Sequence, residues 1–265
     1  MARRLTSQRG MSLIELMIAG LISLIISMVV MQLMIGSNRS NSRIDGMSQT
    51  QENASFAINW LSQKIRRGGY SPYTSVIPDR IVMDACDSQV NPPDADAYCS
   101  YDSTDSPDQL AIERVSANGT TCSGASLEDL GVDETDLVID VFWVERDSGE
   151  NDDEYDDLLK CASYTDSGSL IDSVQTLASG IEDFQVLYAT SATSGFVPLD
   201  SVSDLSAVTA IRIGVLARAF SDAAQIDGSR SYIVLDGDPQ LFDDGVLRQI
   251  FENTIYLMNA ENVGG

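Results

Sequence analysis

From Leu16 to Ile35 the chain runs 20 residues without a charged side chain, and only Ser23, Ser27 and Gln32 in that run are polar. As a helix this stretch is about 30 Å long, enough to cross the hydrocarbon core of a bilayer. Immediately before it stands Glu15, the only ionisable side chain between Arg9 and Arg39. A carboxylate at the end of an apolar helix costs a few kcal/mol if it has no partner, so Glu15 calls for a specific cation. Residues 1–10 are short and carry Arg3, Arg4 and Arg9. That positive charge keeps the N-terminal side in the cytoplasm and sends everything after Ile35 across the membrane. A secretory signal peptide would place a small-residue cleavage site after its apolar region; here the apolar run starts directly after the basic residues.

The helical pattern continues past the membrane. Ile44, Met47, Gln51, Ala54, Ile58, Leu61 and Ile65 follow a 3-4-3-4-3-4 spacing, interrupted only by the polar Gln51. This spacing predicts a stripe that lies against a globular head. No proline occurs from Ser12 to Gly68, so one unbroken helix is expected, ended by Gly68, Gly69 and Pro72 with Lys64, Arg66 and Arg67 near its negative pole. Beyond it the pattern changes to strands at Arg80–Met83, Gln109–Val115, Leu137–Val144, Leu158–Tyr164, Ile181–Tyr188, Thr209–Ala219, Ser231–Leu235 and Phe251–Met258, with Leu247 to Phe251 also readable as a helical turn. Within the apolar run, Ala19, Ser23 and Ser27 lie four apart, a small-residue stripe suited to close helix packing in a membrane.

The net charge is −24, and loss of residues 1–10 would leave 13 Lys+Arg against 40 Asp+Glu, a net −27. A chain with so few cations has no basic stripe for phosphate, so nucleic acid is not an expected partner of the head. Residues 84–160 hold 22 of the acids against Arg114, Arg146 and Lys160, which predicts solvated loops. The run from Asp147 to Asp157 is the best candidate for a divalent cation, calcium in particular, although it lacks the ligand spacing and sixth-position glycine of an EF-hand loop. No other cofactor is expected.

The chain contains no histidine, which removes Ser-His-Asp and Cys-His catalysis and the zinc sets that mix Cys and His. Gly-x-Gly-x-x-Gly, P-loop and Gly-x-Ser-x-Gly motifs are absent too, so no catalytic residue is assigned and an enzyme is not expected. Cys86, Cys99, Cys122 and Cys161 make an even count beyond a membrane segment, which predicts disulfides in an oxidising compartment. Of the three connectivities the sequential one, Cys86–Cys99 and Cys122–Cys161, is preferred.

The stretch Gly10-Met11-Ser12-Leu13-Ile14-Glu15-Leu16-Met17, with arginines before it and apolar residues after, resembles the prepilin signature of the type IV pilin superfamily. Similarity extends further. Residues 51–58 (Gln-Glu-Asn-Ala-Ser-Phe-Ala-Ile) with 65–70 (Ile-Arg-Arg-Gly-Gly-Tyr) are similar to the helix exit of PilW-type minor pilins, subunits made in low copy number. Residues 180–188, 208–218, 247–251 and 254–259 are similar to segments of the same type, whereas 84–160 matches nothing familiar. Major pilins usually carry a proline partway along the apolar helix; its absence here fits a minor pilin.

This resemblance implies cleavage by a prepilin peptidase between Gly10 and Met11, N-methylation of Met11, and a role for Glu15 in subunit docking. It implies an α+β fold: a leader at 1–10, a transmembrane and assembly half-helix at 11–36, an amphipathic half at 37–68, and a periplasmic β-rich head at 69–265 containing the acidic insertion. The implied partners are other minor pilins, the major pilin, the prepilin peptidase and the inner-membrane assembly platform. The protein would be a single-pass inner-membrane protein that ends in the pilus, at or near its tip, after helping to start the fibre. Two alternatives are a minor pseudopilin of type II secretion and, from another class, a membrane-anchored periplasmic module that binds calcium.

Overall fold

The computed structural model describes residues 12–82, 98–117, 119–146, 157–193, 195–220 and 228–257. One helix, α1 (Leu13–Ile65), spans 53 residues, about 80 Å at the usual rise. The chain then turns at Gly69, whose φ of +72° and crowding by the Arg80 side chain leave no room for a Cβ. Gly69 N–H donates to Glu113 C=O at 2.8 Å, so the helix exit is joined to the first strand.

Among the described residues the head has three antiparallel sheets. The first runs in the order β1 (Gln109–Val115), β2 (Leu137–Glu145), β3 (Leu158–Thr165), β4 (Gln175–Ser179). The second is β5 (Ile181–Thr190), β6 (Val208–Arg218), β9 (Arg248–Tyr256), and a two-stranded ribbon pairs β7 (Arg230–Tyr232) with β8 (Gln240–Phe242). Strand β1 is buried along its whole length because the first sheet packs on both faces. Leu110, Ile112, Phe142 and Leu159 face α1 and the second sheet, while Ala111, Ile139, Val141, Trp143 and Tyr164 form a smaller core on the other side with Val82. In the second sheet Phe184, Val186, Tyr188, Ile211, Ile213 and Ile255 point into the main core, alternating with outward residues as a strand requires. On its outer face Gly214 lies beneath Val234 and Leu235, where a Cβ would come within 2.8 Å and 2.9 Å of their side chains.

The α+β expectation holds, with the head built of three sheets. Several details differ, among them that Ile233 to Leu235, expected in a strand with Ser231, lie outside β7. Ala54, Ile58, Leu61 and Ile65 of the helix stripe are buried, but Ile44 and Met47 are 62% and 49% exposed, because the head reaches the upper helix through the small Gly46 and Thr50. Arg80–Val82 form no strand; Arg80 donates to the carbonyls of Ser206 and Val208, and Val82 N–H to Ala111 C=O. Met83 lies outside the described residues. Arg248 to Phe251 are strand, held by β6 from Arg218 to Val215, and not a helical turn. Strands β4 and β8 are additional: both are short, and β4 pairs across a bulge at Leu159/Lys160.

Candidate assembly surface and its anchorage to the head

The residues from Leu13 to Ile35 are wholly exposed, including every large apolar side chain from Leu13 to Ile35. By length and composition this helix can cross a membrane. An uncovered apolar cylinder in water would be unstable, so lipid or other helices must surround it. Along it Ala19, Ser23 and Ser27 are exposed, and Ser27 Oγ donates to Ser23 C=O at 2.8 Å, so the hydroxyl spends its hydrogen bond within the helix.

Glu15 occupies the third helical position after the N-cap Ser12. Its carboxylate accepts the Ser12 N–H at 3.4 Å, the backward reach of a capping box. Glu15 therefore serves the helix end locally while remaining exposed to any second partner. Gly10 and Met11, the cleavage residues implied by the resemblance, lie outside the described residues.

At the other end the helix is locked into the head by polar groups. Trp60 Nε1 donates to Cys122 C=O at 3.0 Å, and Lys64 Nζ donates to Thr121 C=O at 2.7 Å. Cys122 is bonded to Cys161 on β3, closing a loop across 39 residues of sequence. By loop entropy such a bridge contributes about 4 kcal/mol. Cys99 is also disulfide-bonded, whereas Cys86, its expected partner, lies outside the described residues. Under the bridge Arg114 Nε pairs with Asp140 Oδ2 at 2.9 Å, with side chains 2% and 0% exposed. Asp140 Oδ1 accepts from Ser163 Oγ at 2.6 Å, Ser163 Oγ accepts the Cys122 N–H at 2.8 Å, and Arg114 Nη2 reaches Thr120 C=O at 2.6 Å. Helix, disulfide loop and three strands thus share one connected network. On the opposite flank Asn253 of β9 donates to Ser62 Oγ at 2.8 Å.

Burial pulls the Lys64 ammonium down to a pKa of about 8, with Asp140 opposing and Arg67 and Arg114 adding to the shift. Its value in the unfolded chain is near 10.5. Between these pH values the unfolded state binds more protons, so this group makes the head more stable as pH rises from about 8 to about 10.5. Lys64→Met is expected to remove that rise. Denaturant melts of both proteins across this interval test it, and equal slopes of stability with pH contradict it.

The network was not foreseen from the sequence, yet a signal was there. Asp140 stands in Val138-Ile139-Asp140-Val141-Phe142, an acid with apolar neighbours on both faces of a strand, and Arg114 follows Glu113 in a strand that also holds Leu110, Ile112 and Val115. A charge in such a position must be paired. The other buried acids do not form a metal cage. Asp108 gives one oxygen to Ser103 N–H at 2.9 Å and the other to Val186 N–H at 2.7 Å. Burial pushes Asp108 up to about 9, with the nearby Asp102 and Asp236 adding to the shift and both N–H donors opposing it. Among the described residues no group of three or more His, Cys, Asp or Glu is placed to hold a metal ion. The calcium candidate, Asp147 to Asp157, lies outside them except for Asp157.

Residues 141–259, from within β2 through the whole second sheet, match the family model of PilW, type IV pilus-assembly protein W. No curated protein and no solved structure matches the chain. An exposed apolar helix rooted in an α+β head, together with this match over residues 141–259, supports a PilW-type protein with a part in type IV pilus assembly.

Proposed function

We propose that this protein is a minor pilin that primes type IV pilus assembly, joining other minor pilins in a small complex and remaining at or near the fibre tip with the major pilin behind it. The observation that carries this reading is the uncovered apolar half of α1, whose one charge is Glu15 at its head. A helix of this kind sits in the bilayer until it is withdrawn into a bundle of similar helices. Each withdrawal exchanges lipid contacts for protein contacts, and a cluster assembled beforehand makes the first exchange easier for those that follow.

In this proposal prepilin peptidase cuts between Gly10 and Met11 on the cytoplasmic face, and Met11 is then N-methylated. The new α-amine is a cation with an ordinary pKa of about 8. Within one helix it lies about 6 Å from Glu15 by rise alone, too far for direct contact. Between staggered subunits the amine of one meets the glutamate of another, which removes a lone charge from hydrocarbon and sets the register. The chain works with the inner-membrane assembly platform and without a cofactor or catalytic group.

Mass spectrometry of the protein extracted from native membranes tests the first step. The expected N-terminus is Met11, methylated. Gly10→Val is expected to keep residues 1–10 attached in essentially all molecules and to block piliation; residues 1–10 retained in the native protein would overturn the proposal.

A further inference from the structure

Among the described residues strand β9 is an open edge of the second sheet. Ala219 N–H donates to Leu247 C=O and Leu257 N–H donates to Thr209 C=O. In this register the odd-numbered residues from Gln249 to Ile255 exchange hydrogen bonds with β6, while Ile250, Glu252, Thr254 and Tyr256 turn their N–H and C=O groups away from it. Among the described residues those groups have no backbone partner. The edges at β1 and β5 are covered. Along β1, Ala111 C=O takes the Val82 N–H, Ala111 N–H goes to Ser100 Oγ, Glu113 C=O takes the Gly69 N–H and Val115 N–H goes to Tyr70 C=O. On β5, Asp108 binds Phe184 C=O through its N–H and Val186 N–H through its carboxylate. Strand β4 is five residues long and bulged. By contrast β9 pairs over nine residues without a register shift and contains no proline or lysine, the usual devices that keep an edge from pairing.

We infer that β9 receives an extended strand from the head of a different pilin subunit, which adds to the second sheet. This rests on the pilus-assembly reading above. A row of alternating amide donors and acceptors at strand spacing is matched by another extended backbone. Charge selects among backbones. Glu252 is exposed at the middle of the edge and the chain carries −24, so pairing with a second copy sets like charges together, whereas a strand with Lys or Arg opposite Glu252 is favoured. Tyr256, 70% exposed on the outer face, offers an apolar contact to that strand's side chains. The edge is also fixed relative to the assembly helix, since Asn253 of β9 is bonded to Ser62 of α1. A neighbour brought alongside in the membrane has its head held close to this strand.

The test uses the full chain in native membranes, with photoreactive benzoylphenylalanine replacing Tyr256 and, separately, the half-exposed Leu170 on the first sheet's side. The expected result is an adduct from position 256 that peptide mapping places in a strand bearing Lys or Arg in another pilin's head, with none from position 170. Thr254→Pro removes an outward N–H that makes no internal bond, together with the hydroxyl that accepts from Arg212 Nε at 3.3 Å, and is expected to cut the adduct at least about tenfold while lowering the thermal melt only slightly. Glu252→Lys keeps every backbone group and is expected to cut it similarly, which covers the case in which the proline variant fails to fold. An adduct to a second copy, to lipid or within the same chain overturns the inference, as does a yield that Glu252→Lys leaves unchanged. Deleting the whole chain separates the two readings. Lost piliation together with an unchanged adduct in Glu252→Lys refutes the edge alone, and normal piliation after deletion refutes the pilus role itself.

Discussion

Asp140→Ala is expected to destabilise the head by about 3–5 kcal/mol, a large part of the stability of an ordinary domain. Among the described residues its carboxylate is the one acid bound to the Arg114 guanidinium, and both side chains are shut away from water. Among the described residues truncation leaves that cation with the Thr120 carbonyl, and it leaves Ser163 Oγ without its acceptor. The loss spreads along the network, because Ser163 holds the Cys122 N–H and Lys64 loses the Asp140 charge that favours its ammonium. The magnitude reflects a charge stranded in the core and is larger than the pair's net worth. Arg114→Met combined with Asp140→Leu, which strands no charge, is therefore expected to cost less than Asp140→Ala alone. Urea titration of the detergent-solubilised full chain measures both. A loss below about 1 kcal/mol for the single variant contradicts the assignment.

The same residues explain what the sequence could and could not disclose. Strand β1 was legible to its end residues, Gln109 and Val115, because Leu110, Ile112 and Val115 stand between clusters of turn formers, Asp105-Ser106-Pro107 before and Ser116 to Gly119 after. The long helix was equally clear, since fifty residues without proline carry their own periodicity. Strand β4, with Gln175, Thr176 and Ser179, has no such signal of its own and exists because β3 offers it an edge. Arg248 reads locally as helix or strand. Its placement depends on Glu182, sixty-six positions earlier, whose two oxygens bind its guanidinium. Ile44 and Met47 were misassigned for a related reason: apolar spacing shows which residues share a face but not how far along the helix the head extends. At the assembly surface, Glu15 and the apolar run were visible at once because each is anomalous against its neighbours. The open edge of β9 was invisible, for it is a property of backbone pairing and leaves no mark in side-chain pattern.

Glu15→Val is expected to leave cleavage at Gly10, membrane insertion and the Cys122–Cys161 bridge intact while reducing incorporation into fibres at least about tenfold. In the proposed docking the substitution removes the carboxylate that a neighbour's amine would meet, and each 1.4 kcal/mol lost from that pairing is a factor of ten in its equilibrium. A second loss is mixed in, because Glu15 also accepts the Ser12 N–H. Glutamine separates the two. It serves a capping box as glutamate does but carries no charge, so Glu15→Gln retains the helix end and loses only the ion pair. Quantitative immunoblotting of sheared fibres against the membrane pool reads both variants. If the glutamine variant matches the valine one, charge sets the docking. Wild-type incorporation with glutamine would reduce Glu15 to a cap, and wild-type incorporation with valine would remove it from assembly altogether.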